Sequence, residues 1–219
     1  GSEMCIRDRS GNSESSLPNE TPFIQTANAT VYYPEQAQGS TRKYPIIYVQ
    51  GEINEQQQKV LVSQFHQMVD ENKTWPAVLC FVKANTDLSE TISDIEKQLS
   101  GIRGSQRMRA LITLGDNIKE GIEAIQRENL FTGIVCVNAI GNENDTQNFI
   151  KTVNSHKRYP RCWMEILPES KEYGFSSNIH ILLKESDLEH EFRSRKCKEA
   201  NVFTYWEDWI LYLNNRIHV

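Results

Sequence analysis

One stretch constrains this chain more than any other: residues 107–137, RMRALITLGDNIKEGIEAIQRENLFTGIVCV. Ala110, Leu111, Ile112, Thr113 and Leu114 form an apolar run of strand length. Gly115, Asp116 and Asn117 make the turn, and Asp116 stands where it would cap the next helix. Ile118, Gly121, Ile122 and Ile125 follow at helical spacing, with Lys119, Glu120 and Glu123 on the other face. Ile134, Val135, Cys136 and Val137 then make a second buried strand. A strand that passes through a tight turn into a helix and on to another strand is a βαβ crossover, so the sheet is expected to be parallel.

The rest of the chain repeats the alternation. Strands are expected at 29–34, 44–51, 76–82 and 161–167, and a charged, edge-like strand at 189–195. Helices are expected at 55–72, 89–99, 145–153 and 176–186, with 138–144 a polar loop. Trp206, Trp209, Ile210 and Leu213 share one face of a last helix, which reads as a docking face. The pattern predicts an α/β fold with a mostly parallel central sheet and helices on both faces. A chain of 219 residues suits one such domain. The first ten residues, GSEMCIRDRS, fit nothing that follows and read as a non-native leader. Residues 11–21 are a polar tail, so the domain is expected to occupy 22–219.

Charge and cysteine usage exclude several classes. The net charge is -5 and no run is rich in Lys or Arg, which argues against nucleic-acid binding. No apolar stretch is long enough to span a membrane. Cys80, Cys136 and Cys162 sit in strand-like runs, Cys197 in a polar stretch and Cys5 in the leader. Without a C-x-x-C spacing, no metal site, redox motif or cofactor is expected. Buried free thiols lean toward a reducing, cytoplasmic compartment, and the sequence carries no targeting signal.

Several segments resemble the esterase D-like and feruloyl-esterase-like members of the α/β-hydrolase superfamily. RALITLGDN, followed by LFTGIVCVN, is similar to that family's elbow, R-A-I-A-G-x-S-x-G-G, then L-F-x-x-V-x-x-S. Residues 43–51 resemble its K-Y-P-V-L-Y-L-x-H-G strand. Residues 89–99 stand in the place of its E-L-I-P-Y-I-E helix, without the proline. Phe203, Tyr205 and Trp206 match G-G-H-x-F-x-Y-W. The resemblance implies an α/β-hydrolase fold from about Asn28 onward, and it inclines the compartment toward secreted or periplasmic. It also assigns positions. The nucleophilic serine falls on Gly115 and the base histidine on Asn201. The acid falls on Lys171, or on Glu169 or Glu172 with a shifted register. Gln50 and Gly51 stand at the oxyanion loop, Asp116 follows the elbow position, and Trp206 is a further cleft candidate.

Acyl transfer on this fold needs a hydroxyl nucleophile, a base to take its proton and an acid to orient the base. Gly115 has no side chain, and the Asn201 amide accepts no proton near neutral pH. The expectation is therefore an inactive esterase-like domain. It would bind a small molecule, a carbohydrate or an ester among the candidates, or a protein partner, or serve as an accessory module. Two enzymatic alternatives stay open. Asp116 could be an elbow nucleophile, although Leu114 and Ile118 then occupy the small-residue positions. Alternatively the chain is an active carboxylic-ester hydrolase whose triad lies elsewhere, with Ser93 and Ser105 as available hydroxyls. His66 and His180 read as surface residues, and His156 and His190 sit at the wrong places for a base.

Overall fold

A computed structural model describes residues 20–37, 41–99, 109–128, 131–155, 160–166, 173–195 and 201–217. The central unit forms as its pattern requires. Strand β5 (Arg109–Leu114) leads through a short 3-10 turn (Gly115–Asn117) into helix α3 (Ile118–Glu128) and strand β6 (Gly133–Val137). Before it come β1 (Ile24–Gln25), β2 (Ala29–Tyr32), β3 (Ile46–Gly51), α1 (Glu55–Asp70), β4 (Val78–Lys83) and α2 (Leu88–Gln98). After it come α4 (Glu143–Asn154), β7 (Arg161–Ile166), α5 (Tyr173–Glu185), β8 (His190–Ser194) and α6 (Trp206–Ile217).

All eight strands join one sheet in the order β1-β2-β4-β3-β5-β6-β7-β8. Strands β3 to β8 run parallel, and β2 pairs antiparallel with both β1 and β4. A parallel sheet covered on both faces needs strands that are apolar throughout. Strands β3, β5 and β6 are buried at every residue. Alternate side chains then serve different layers. Ile46 and Tyr48 pack with α2, α3, α4 and α5, whereas Ile47 and Val49 pack with α1 and α6. Trp206, Trp209, Ile210 and Leu213 dock α6 on the second face, as their spacing predicts.

Two helices begin earlier than the periodicity suggests. Helix α4 starts at Glu143 because Asn142 and Asp145 form a reciprocal capping box: the Asn142 side chain accepts from Asp145 N, and Asp145 Oδ2 accepts from Asn142 N. Helix α5 starts at Tyr173 because Phe175 is buried in its first turn. The Phe175 ring lies where a Cβ on Gly141 would come within 2.5 Å of it, so that glycine makes its place. At the far edge, β8 carries the expected charges, with Arg193 paired to Glu191 at 2.7 Å.

Candidate functional site

The C-terminal ends of parallel strands carry the loops that form a crevice in an open α/β sheet. Gly115 follows the last residue of β5 and has φ +62°, in the left-handed region. Only Ile140 Cδ1, at 3.8 Å, would meet a Cβ there, so backbone conformation rather than crowding calls for glycine. The carbonyl of Gly115 accepts from Ile140 N at 3.1 Å, which ties the turn to the loop after β6.

Asp116 does not cap α3 as expected. It is exposed, and Asn117 closes the turn instead. Asn117 is 3% exposed; its Nδ2 donates to Leu114 O at 2.7 Å and its Oδ1 accepts from Asn85 N at 2.9 Å. Once residues 115–117 wind as a 3-10 turn, it is the third residue, not the second, that faces inward. The same amide joins the turn to the loop after β4.

Gln50 and Gly51 end the neighbouring strand β3, where Gln50 pairs in register with Thr113 of β5. Gln50 is fully buried, and its Nε2 donates to Thr86 O at 2.9 Å and to Lys83 O at 3.3 Å. A Cβ on Gly51 would lie 2.7 Å from Leu114 Cδ1, so glycine is required by the close approach of the two strand ends. Gln50, Gly51, Gly115 and Asp116 are thus brought together at one end of the sheet.

Asn201 is exposed and occupied by its own turn. Its Oδ1 accepts from Phe203 N at 3.0 Å, and its carbonyl accepts from Thr204 N and Oγ1. Trp206 is 1% exposed and packs edge-on against Trp209 in the core beneath α6, because its helical face is the docking face. Lys171, Glu169, Glu172, Ser105 and His156 lie outside the described residues.

A cleft of about 830 Å³ opens beside Gly51, between residues 25–30, the 51–58 segment and the end of β4. Of the positions singled out in the sequence, Gly51 alone lines it. Amide and apolar side chains share its walls, the amides including Asn28, Asn54, Gln57 and Asn85, with one charge of each sign from Glu52 and Lys83.

Two groups of polar residues escaped the sequence reading. The first is on the α6 side of β7. Glu165 is 3% exposed, and its Oε1 accepts from Trp209 Nε1 at 3.1 Å and from Trp163 Nε1 at 3.4 Å. Arg195 Nε stands 3.5 Å away, and Arg195 Nη2 donates to Asp208 Oδ2 at 3.0 Å while its guanidinium lies over the Tyr205 ring. Burial pushes the Glu165 carboxyl above the usual carboxylate range; the Trp209 bond and the Arg195 charge oppose that shift. A carboxylate inside the apolar run RCWMEI was the available signal, since both faces of such a strand are covered.

The second group is on the opposite face. His180 is not a surface residue: it is half-buried, with Nδ1 2.7 Å from His190 Nε2 and its ring stacked on Phe192. Burial, then the neighbouring His190, holds its pKa below the ordinary histidine value. His66 is also half-buried, with Nδ1 3.2 Å from Glu20. No group of three or more metal-ligating side chains occurs among the described residues. Cys80, Cys136 and Cys162 are buried free thiols, and burial pushes Cys136 up to about 12, which disfavours its thiolate. No described helix is long and apolar enough to cross a membrane.

No sequence-family model and no curated protein sequence matches the chain. Solved structures do. The chain is similar to a ferulic acid esterase with a TM-score of 0.65 at 12% identity, over 85% of this chain and 91% of that one. It is similar to the feruloyl esterase module from Clostridium thermocellum, complexed with sinapinate, with a TM-score of 0.66 at 13% identity over 87% and 84%. It is similar to an IroE-like serine hydrolase from Shewanella oneidensis with a TM-score of 0.64 at 12% identity over 85% and 75%. The chain has the α/β-hydrolase fold. At such identities the likeness is one of fold, and the site must be judged on its own residues.

Proposed function

We propose that this chain is a catalytically inactive esterase-like domain that acts by binding a ligand or partner. The observation that carries the reading is Gly115: a left-handed glycine at the strand-to-helix turn, with no hydroxyl to attack an acyl carbon. Asn201, at the position assigned to the base, spends its side-chain oxygen on Phe203 N and has no nitrogen lone pair to take a proton. Gly51 and the amide of Asp116 keep the backbone of an oxyanion pocket in this reading, without a nucleophile to serve. Lys171, or Glu169 or Glu172, is the residue left at the acid turn.

Binding would use the cleft beside Gly51. Its mixture of amides with one charge of each sign suits an uncharged ligand rich in hydrogen-bonding groups, such as a carbohydrate or a polar ester. A serine-directed fluorophosphonate probe and an activated acetate ester test the reading together. No labelling and no turnover above the uncatalysed rate is the expected result. Stoichiometric labelling of one serine, abolished by its mutation, would overturn it in favour of an active hydrolase with a triad elsewhere. A screen of sugars and feruloyl esters by melting temperature then separates ligand binding, which raises it by linkage, from a partner-binding or accessory role.

A further inference from the structure

We propose that His180 and His190 form a two-imidazole site for a late first-row divalent cation, which clips the edge strand β8 to helix α5. The proposal is independent of the esterase-like reading, because the pair lies on the α5 side of β8 and shares no residue with the Gly115 region.

Its basis is how the two rings are held. His190 Nδ1 is 2.8 Å from Leu188 O. A carbonyl only accepts, so that nitrogen carries the proton and His190 Nε2 presents a lone pair. An imidazole oriented by a carbonyl on its far nitrogen is the arrangement that metal-bound histidines use to set their tautomer. The lone pair of His190 Nε2 faces His180 Nδ1 at 2.7 Å. The His180 ring is itself fixed, stacked on Phe192 with centroids 4.6 Å apart and edge-on to His190 at 4.9 Å. Both side chains are half-buried, so water reaches the pair. His180 lies on the helix and His190 at the start of β8, whose register partner on β7 is the buried Cys162.

Two neutral imidazoles at this distance share one proton. That proton can move from His180 Nδ1 to His180 Nε2, which makes no hydrogen bond among the described residues, and both facing nitrogens then offer lone pairs. Nitrogen–metal bonds of about 2.0–2.1 Å, at right to tetrahedral angles, place two donors roughly 2.9–3.4 Å apart. The nitrogens therefore have to separate by roughly 0.2–0.7 Å, and each ring has to turn until its lone pair points about 35–45° off the line between them. Imidazole donors select zinc, copper and nickel over magnesium or calcium. The protein supplies two donors, water completes the sphere, and affinity is correspondingly moderate. Lys184, exposed one turn further along α5, opposes the added charge.

Zn²⁺ alone is the probe, with the full chain stripped by chelator. Calorimetry should show one site whose Kd weakens about tenfold or more in His180→Gln and in His190→Gln, while His66→Gln leaves it unchanged. Lys184→Gln should tighten it. Imidazole ¹⁵N spectra of the unmutated protein should show the His180 and His190 resonances moving together on titration, and this measurement holds even where a variant folds poorly. Equal Zn²⁺ affinity in the His180→Gln/His190→Gln double variant, or imidazole spectra in which neither ring responds, would overturn the proposal. The pair would then be a hydrogen-bonded clasp and nothing more.

Discussion

The turn at Gly115 and the β7–β8–α6 edge sit on the same sheet and have been shaped by opposite demands. At the turn every feature is a backbone demand. Gly115 holds a left-handed φ, Gly51 lets two strand ends touch, and the Asn117 amide spends both its groups on main chain. At the edge every feature is a side-chain demand. Glu165, Arg195, Asp208 and two indoles form one network on one face, and His180 pairs with His190 on the other. A polar group is easy to keep where its partners are other side chains and water. At the turn, Asp116 is the one exposed ionisable side chain, and its neighbours are chosen by backbone geometry. The difference teaches that residue types at the turn answer to backbone geometry, whereas those at the edge answer to the side chains they meet.

The comparison predicts its own hierarchy. Trp209→Ala should have the largest effect, about 3–5 kcal/mol of stability, because it removes a fully buried indole and leaves Glu165 short of a donor. Denaturant unfolding would measure it, and a loss near 1 kcal/mol would mean that the edge is loosely packed. Next, Gly51→Ala should cost about 1–3 kcal/mol through the clash with Leu114. Unchanged stability would show that the strand ends are free to separate.

Gly115→Ser should cost about 1–2 kcal/mol, since a Cβ is disfavoured at φ +62°. It supplies a hydroxyl without a base, so on the proposed reading it should show no turnover of an activated acetate ester. Gly115→Ser with Asn201→His should show slow hydrolysis that rises as the histidine loses its proton. If the single variant matches the double one, Asn201 is not the base position.

Asn117→Ala should cost about 1–3 kcal/mol by stranding Leu114 O and Asn85 N, whereas Asp116→Ala should stay within about 0.5 kcal/mol. The reverse order would restore Asp116 as the cap.

The smallest effect is a gain. The folded chain holds the Glu165 proton more tightly than the unfolded chain, so ionising it costs stability above the folded pKa and costs nothing below the unfolded carboxylate range. Glu165→Gln keeps an acceptor for the indoles and removes the buried charge. It should raise stability near neutral pH by about 1 kcal/mol or less, and that gain should vanish as pH falls toward roughly 4. A loss at neutral pH would mean that the attraction of Arg195 outweighs burial.

The turn was readable in the sequence almost residue by residue. A strand, a turn glycine and an amphipathic helix are local patterns; that Gly115 takes φ +62° came from the structure, since the other described glycines do not have positive φ. The capping role was misassigned to Asp116 because choosing between adjacent residues depends on the winding of a single turn. The edge was hardly readable. His180 falls at the margin of the inward face of α5, and nothing along the chain says that His190 will stand 2.7 Å from it.

The sequence alone determined the alternation of strands and helices, the mostly parallel sheet, the two-sided core and the absence of a hydroxyl at Gly115. These follow from periodicity and residue type, which act over a few neighbours. Only the tertiary structure decided which polar residues meet. Glu165 reaches Trp209 across 44 positions, and Asn117 reaches Asn85 across 32. Such pairs are set by the order of strands in the sheet and the face each helix covers, and no local preference encodes either.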